Sequence, residues 1–417
     1  MAEWQIVRLG NIIKTNQSTY STKENWQFVN YLDTGNITMN RIEEIQYINT
    51  DIDKLPSRAR RKVKYGSIIY STVRPNQLHY GIVKEQPDNF LVSTGFTVID
   101  VDKEKAVPEY IYHLLTQHSV TERLQAIAEQ SVSAYPSLKS SDIEDLFISL
   151  PDINTQNKIV YVLSVIDEKI TQNTKINNNL EQQAVLLFKK WFIEFNNTSR
   201  SMLETRFGLI PDSFKLLKND ELPLVVTDYV ANGSFASLKA NVTLYQEPNY
   251  AYFIRNTDLK SETFKVFVDE HSYNFLSKST LFGGEIIISN VGDVGSVFLC
   301  PKLDKPMTLG NNIIMLRPEQ ENLRYYLYIW FKWLYGQSLI QGIKGGSAQP
   351  KFNKTDFKNL PIFLPPDDLL EQFHKIVKPM FELIDENNSE NQALTITRDA
   401  LLPKLMSGEL DVSDIDL

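Results

Sequence analysis

The chain has 417 residues, 42% of them hydrophobic and 23% charged, with a formal net charge of −8. That length exceeds what one ordinary core supports and predicts two domains, and the apolar share leaves no need for long disordered tails. The single cysteine, Cys300, excludes an intrachain disulfide and any multi-cysteine zinc site, while net acidity means that phosphate contacts would have to rest on local positive charge or on basic partners.

The N-terminal MAEWQIVRLG shows no charged-then-apolar leader, and no apolar run reaches the roughly 20 residues of a membrane span. A cytoplasmic protein without membrane contact is expected. Trp4 to Ile13 contains a strand-like VRLGNII, and Arg58, Arg60, Arg61, Lys62 and Lys64 form the densest basic cluster. Such a cluster is a solvated face or a phosphate grip. Tyr65 to Ser71 reads as a buried strand after a turn, followed by a loop, TVRPNQLHY, and a helix from Pro108 to about Glu129. Arginine reads guanine and Asn or Gln reads adenine through paired hydrogen bonds, so Arg74, Asn76, Gln77 and His79 make that loop a candidate base reader. Its alternative is an ordinary polar loop.

At residue 133 begins SAYPSLKSSDIEDLFISLP, and at residue 347 SAQPKFNKTDFKNLPIFLP. Ser133, Ala134, Pro136, Asp142, Leu146, Ile148, Leu150 and Pro151 recur at an offset of 214 residues as Ser347, Ala348, Pro350, Asp356, Leu360, Ile362, Leu364 and Pro365. This is an internal repeat. After each copy runs an apolar seam with alternating steps of four and three, the pattern of a coiled coil. In the first it is Ile159, Leu163, Ile166, Ile170, Asn173, Asn177, Leu180, Ala184, Leu187 and Trp191. In the second it is Phe373, Val377, Met380, Ile384, Asn387, Asn391, Leu394, Arg398, Leu401 and Leu405. The pairs Ile166-Asp167 and Ile384-Asp385 would instead prefer an offset of 218, and Pro379 would kink the second helix or delay its start. The mid-seam asparagines mark either an exposed, poorly packed stretch or polar groups that fix register. A helix from near Thr155 to Asn196 is on the order of 60 Å long. Pairing two such helices antiparallel would relate the halves by a pseudo-twofold axis, with a domain at each end.

The second globular region offers a strand in FGGEIIIS at 282–289, the loop NVGDVG, and a helix from about Asn322 to Gln337. Gly66 and Gly284 match at 218, Gly81 and Gly295 at 214, which predicts a difference in loop length between the copies. Asn290 is a candidate base contact, and Gly292 permits close backbone approach. Lys344, Gln349 and Lys351 extend this candidate surface within a looser basic group that includes Lys354 and Lys358.

Catalytic patterns do not assemble. No NPPY- or DPPY-like tetrapeptide for methyl transfer occurs, and KGGSAQPK lacks the Gly-Lys-Ser/Thr ending of a phosphate loop. Pro151-Asp152 with Asp167-Glu168-Lys169 only superficially follows a metal nuclease, because the second part falls on the long helix. His113 and His118 are poorly spaced to share a metal. No catalytic or metal site is expected.

The stretches LFISLPDINTQNKIVYVLSVIDEKI, LEQQAVLLFKKWFIEFNN, FGLIPDSF, LPIFLPPDDLLEQFHKIVKPMFELIDENN and RDALLPKLMSGEL resemble the specificity subunits of type I restriction-modification enzymes over essentially the whole chain. The resemblance implies an α/β (α+β) fold of two pseudo-repeated target-recognition domains separated by two long antiparallel coiled-coil helices. The divisions are 1–151, first recognition domain; 152–205, first helix; 206–365, second recognition domain; and 366–417, second helix. It implies a non-catalytic chain that binds a split, asymmetric site on double-stranded DNA. Two methyltransferase subunits and the restriction subunits would dock on it, carrying S-adenosylmethionine, ATP and Mg2+ themselves. No family motif transfers the base-reading residues.

Overall fold

A computed structural model describes residues 4–131, 135–196, 201–205, 208–346 and 349–417. Ser133, Ala134, Phe207, Ser347 and Ala348 of the sequence matches lie outside the described residues. The chain divides into two compact units, one of residues 1–171 with 391–417, the other of residues 172–390. Each long helix is therefore shared, with its N-terminal and C-terminal halves in different units.

In the first unit a buried four-stranded sheet has the order Ile13–Thr15, Phe96–Val101, Ile68–Ser71, Tyr80–Ile82, all antiparallel. The run IIYS is buried at every position, as β-branched and aromatic residues favour in a central strand. A second sheet orders Gln46–Asn49, Phe28–Leu32, Phe90–Ser93 and Ala59–Lys62, with one parallel pair, Phe90–Ser93 on Phe28–Leu32. VRLGNII is not one strand: Gln5–Arg8 pairs with Phe147–Leu150, and a 3-10 turn at Leu9–Asn11 redirects the chain into Ile13–Thr15.

The second unit repeats the first sheet as Leu224–Asp228, Ile313–Pro318, Ile286–Ser289, Val297–Leu299. Its neighbour has five strands, again with one parallel pair, Ala251–Ile254 on Met307–Leu309. Lys215–Lys218 pairs with Pro361–Leu364, as Gln5–Arg8 does with Phe147–Leu150. The repeat is thus one of topology.

The structure corrects one sequence match. Gly81 lies inside Tyr80–Ile82, where a Cβ would come within 2.7 Å of Asn40 and Ile37, whereas Gly295 precedes Val297–Leu299 with φ +99°. Tyr80, not Gly81, begins the strand equivalent to Val297–Leu299, and the intervening loops are residues 72–79 and 290–296, eight and seven long. The two loops are near equals in length.

Both helices predicted after these sheets are broken in two. Pro108–Leu115 ends where the Thr116 hydroxyl bonds the Tyr112 and His113 carbonyls, and extended Gln117 starts His118–Glu129. Asn322–Lys332 ends at extended Trp333, before Leu334–Gly342. Gly336 there packs so tightly that a Cβ would lie 2.2 Å from the Trp330 carbonyl oxygen.

The long helices are Ile153–Phe192, 40 residues, and Asp367–Ser407, 41 residues. Asp152 starts the first, accepting from the Thr155 amide at 3.0 Å and hydroxyl at 2.8 Å; these bonds hold its carboxyl below the usual range. The second begins at Asp367, twelve residues before exposed Pro379, so the proline does not delay it. Both helices, and the strands leading into them, start 214 residues apart, which favours that offset over 218. Within the first unit Asp167 pairs with Arg398 at 2.9 Å and Lys158 reaches the Ser413 carbonyl at 2.6 Å. Within the second Asn173 donates to Glu390 at 2.7 Å and Phe188 meets Phe373. Rising numbers on one helix meet falling numbers on the other, so the pairing is antiparallel in each unit.

Ile159 and Leu163 are buried with Leu405, whereas Ile166, Ile170, Leu180, Leu187, Met380, Ile384, Asn391, Leu394 and Leu401 are half-buried. The seam shifts toward Trp330: Ala184, Phe188, Phe192, Phe373, Val377 and Phe381 are the buried set, because Tyr325, Tyr326 and Trp330 also pack on this end and widen the apolar face. Asn173, Asn177 and Asn387 are buried, which removes the reading of an exposed stretch. Asn387 donates to Asn177 at 2.8 Å, and Asn177 donates to Asn388 at 2.8 Å. Replacing Asn387 alone by leucine strips the Asn177 oxygen of its donor and should cost about 1–2 kcal/mol. Asn177→Leu with Asn387→Leu should recover that loss, as measured by urea unfolding of the two variants.

His113 is buried in the first unit, and desolvation pushes its pKa down to about 4. An unfolded imidazole takes up its proton near pH 6.5, so between these values the unfolded chain binds more protons. Stability is full above that window and falls as pH drops through it, by roughly 3 kcal/mol from this group. His113→Gln should lose less melting temperature than the parent between pH 7 and pH 4.5.

Candidate nucleic-acid interface

Loop 72–79 leaves the buried strand Ile68–Ser71 and is fastened at successive points. The Leu138 amide bonds the Thr72 carbonyl at 2.7 Å, the Arg74 amide bonds the Pro136 carbonyl at 3.0 Å, and the Ser71 hydroxyl bonds the Val73 carbonyl at 3.0 Å. Asn76 donates its backbone N–H to Gln125 of His118–Glu129 at 3.2 Å. Residues 136–138 and the TVRP loop, far apart in sequence, are therefore one structure. Arg74 has φ +48° and Leu78 φ +58°, and between them Pro75–Gln77 forms a 3-10 turn. Arg74, Asn76 and Gln77 are exposed, with the Arg74 guanidinium 5.0 Å from the Tyr135 ring centre. His79 is half-buried, and its Nδ1 is held 2.6 Å from the Ile37 carbonyl oxygen. It braces the loop.

The basic cluster divides. Lys62 pairs with Glu24 and lies 5.1 Å from the Trp26 ring, and Lys64 is 3.6 Å from Asp100. Arg60 is half-buried; its carbonyl accepts the Tyr20 amide. Arg61 is half-buried, and burial pushes its pKa down. Arg58 is exposed; its carbonyl accepts the Thr94 amide, and the neighbouring Gly95 carbonyl accepts the Thr72 amide. Of the five, Arg58 is linked by these backbone bonds to the base of the loop.

In the second unit the same fastening recurs. The Phe352 amide bonds the Asn290 carbonyl at 3.0 Å, the Gly292 amide bonds the Pro350 carbonyl at 2.9 Å, and the Ser289 hydroxyl bonds the Val291 carbonyl at 3.4 Å. The Asn290 side chain donates to the Phe352 carbonyl at 3.3 Å, so it also serves the clamp. Gly292 has φ +78° and is exposed. Gly345 and Lys351 exchange backbone hydrogen bonds at 2.8 and 2.9 Å, which brings Lys344, Gln349 and Lys351 beside this loop. Lys344, Gln349 and Lys351 are exposed; Lys354 is 3.0 Å from Asp228. Sequence reasoning missed Tyr135 and Gln125, which no local pattern marks as loop partners.

A sequence model of the type I restriction modification DNA specificity domain matches residues 1–182 and 230–397. The chain belongs to this family. The specificity subunit of the type I restriction enzyme HindI from Haemophilus influenzae is 26% identical over 467 aligned residues, covering 98% of this chain and all of that one. The MjaIX specificity subunit of Methanocaldococcus jannaschii is 27% identical, over 84% of this chain and 79% of its own. The crystal structure of a type I S subunit from M. genitalium shares the fold, with a TM-score of 0.52 at 17% identity over 97% of this chain and 96% of that one. A DNA-specificity role therefore comes with the family. Among the described residues no group of three His, Cys, Asp or Glu side chains is placed to hold a metal ion, and no helix is long and apolar enough to cross a membrane.

Proposed function

We propose that this chain is the non-catalytic sequence-reading subunit of a type I restriction-modification enzyme. Residues 1–151 and 206–365 are its target-recognition domains, and each reads one half of a split, asymmetric site on double-stranded DNA. The observation that carries this reading is the loop fastened twice by the same backbone bonds but armed differently, with Arg74, Asn76 and Gln77 in one unit and Gly292 in the other. One frame with two sets of side chains suits two different half-sites. The long helices dock two methyltransferase subunits and set the spacer between the halves, and restriction subunits join that assembly. S-adenosylmethionine, ATP and Mg2+ belong to those partners, whose basic surfaces supply the phosphate contacts that a chain of net charge −8 does not.

The purified chain, incubated with duplex DNA, Mg2+ and S-adenosylmethionine, should neither methylate nor cut. With its methyltransferase subunits it should retard duplex DNA and select a split motif. Turnover by the chain alone contradicts the reading, and an assembly that shifts no DNA favours a protein-only adaptor.

A further inference from the structure

Arg74 and Gly292 occupy one structural position. Both follow a buried strand, both donate their amide to a proline carbonyl of the clamp, and both have positive φ, +48° and +78°. Left-handed backbone is ordinary for glycine but uncommon for arginine. The first unit keeps a strained arginine where the second shows that glycine suffices, so the fold does not require the side chain.

The Arg74 guanidinium is exposed and forms no ion pair among the described residues, unlike Lys62 and Lys64. With its centre 5.0 Å from the Tyr135 ring centre, the flat fork is held by a cation–π contact, and its exposure leaves N–H donors available to a planar acceptor pair. Guanine O6 and N7 in the major groove are such a pair. At Gly292 nothing lies within 4 Å of an added Cβ. The socket is open there.

Resting on the functional reading above, we propose that Arg74 reads a guanine in the half-site of the first unit, and that the equivalent position of the second half-site is left unread because Gly292 has no side chain. The position is an exchangeable specificity socket.

The test is selection from a random-sequence duplex library by the full chain assembled with its methyltransferase subunits. One half of the parent motif should carry a fixed guanine. Arg74→Ala should lower preference there on the order of tenfold to a hundredfold, with the other half unchanged. Arg74→Lys should do the same, since it keeps the charge but loses the fork. Gly292→Arg should add a guanine requirement to the second half. Arg74→Gly should lose the guanine yet melt no lower than Arg74→Ala, which separates reading from folding.

A parent assembly that selects no split motif overturns the functional reading and this assignment with it. A split motif that survives Arg74→Ala intact overturns this assignment alone, as does a uniform weakening toward every sequence, the mark of a phosphate contact. Gly292→Arg without a new guanine overturns the equivalence of the two positions.

Discussion

Phe188→Ala should destabilise the second unit by about 3–5 kcal/mol, enough to consume much of a typical domain's stability. Phe188 is fully buried and belongs to an aromatic cluster, with ring centres 5.3 Å from Phe192, 5.5 Å from Tyr326 and 6.2 Å from Phe373. These side chains come from both long helices and from Asn322–Lys332, so one truncation opens a cavity bordered by three elements. Close-packed walls collapse only in part, and the lost contacts are not replaced. Leu186, two residues earlier on the same helix, is 57% exposed, and Leu186→Ala should stay within about 0.5 kcal/mol of the parent. Urea unfolding of both variants checks the pair; equal effects would mean that Phe188 is not at the core of this unit.

The second large effect concerns the helices. Deleting residues 172–178 together with 386–392 removes one heptad from each, including Asn173, Asn177, Asn387 and Asn391. Seven residues keep the apolar seam in phase, so Leu180 and Leu394 take over the vacated positions. Each helix shortens by about 10 Å, roughly three base pairs of duplex at 3.4 Å each. Affinity for the parent target should fall by orders of magnitude. Selection from a library with randomised spacers should return the same half-sites closer together. Recovery of the parent spacing would remove the helices from any role in setting it.

How much of this was legible in the sequence varies by physical cause. The helix pair was, because a repeat of apolar residues over 40 positions has few other solutions, and the buried asparagines continue the same phase. The breaks at Thr116 and Trp333 were not. They depend on a side-chain hydroxyl turning back on its own helix and on a close approach at Gly336, neither of which disturbs apolar periodicity. The widened seam at Phe188, Phe192 and Phe381 answers to Tyr325, Tyr326 and Trp330, which arrive from far along the chain.

The candidate site divides likewise. Loop 72–79 stood out through residue types that match base edges, and Arg74, Asn76 and Gln77 are exposed on it. His79 and Asn290 share those types but are occupied by the Ile37 and Phe352 carbonyls, a tertiary matter. Lys62 and Lys64 read as a charge cluster until Glu24 and Asp100 come beside them. Conversely, Tyr135 gains its meaning only when the clamp sets it under Arg74. A local pattern reports what a side chain offers, and the fold decides whether the offer is already taken.

On the function proposed above, this chain, and no other component, determines which DNA sequence its enzyme modifies. The direct measurement is sequencing of methylated adenines in cells that carry the chain with its methyltransferase subunits, and in the same cells without it. A split, asymmetric motif with a fixed spacer should be found, and it should disappear when the chain is absent. A motif that persists without the chain, or one that is short and undivided, would contradict it.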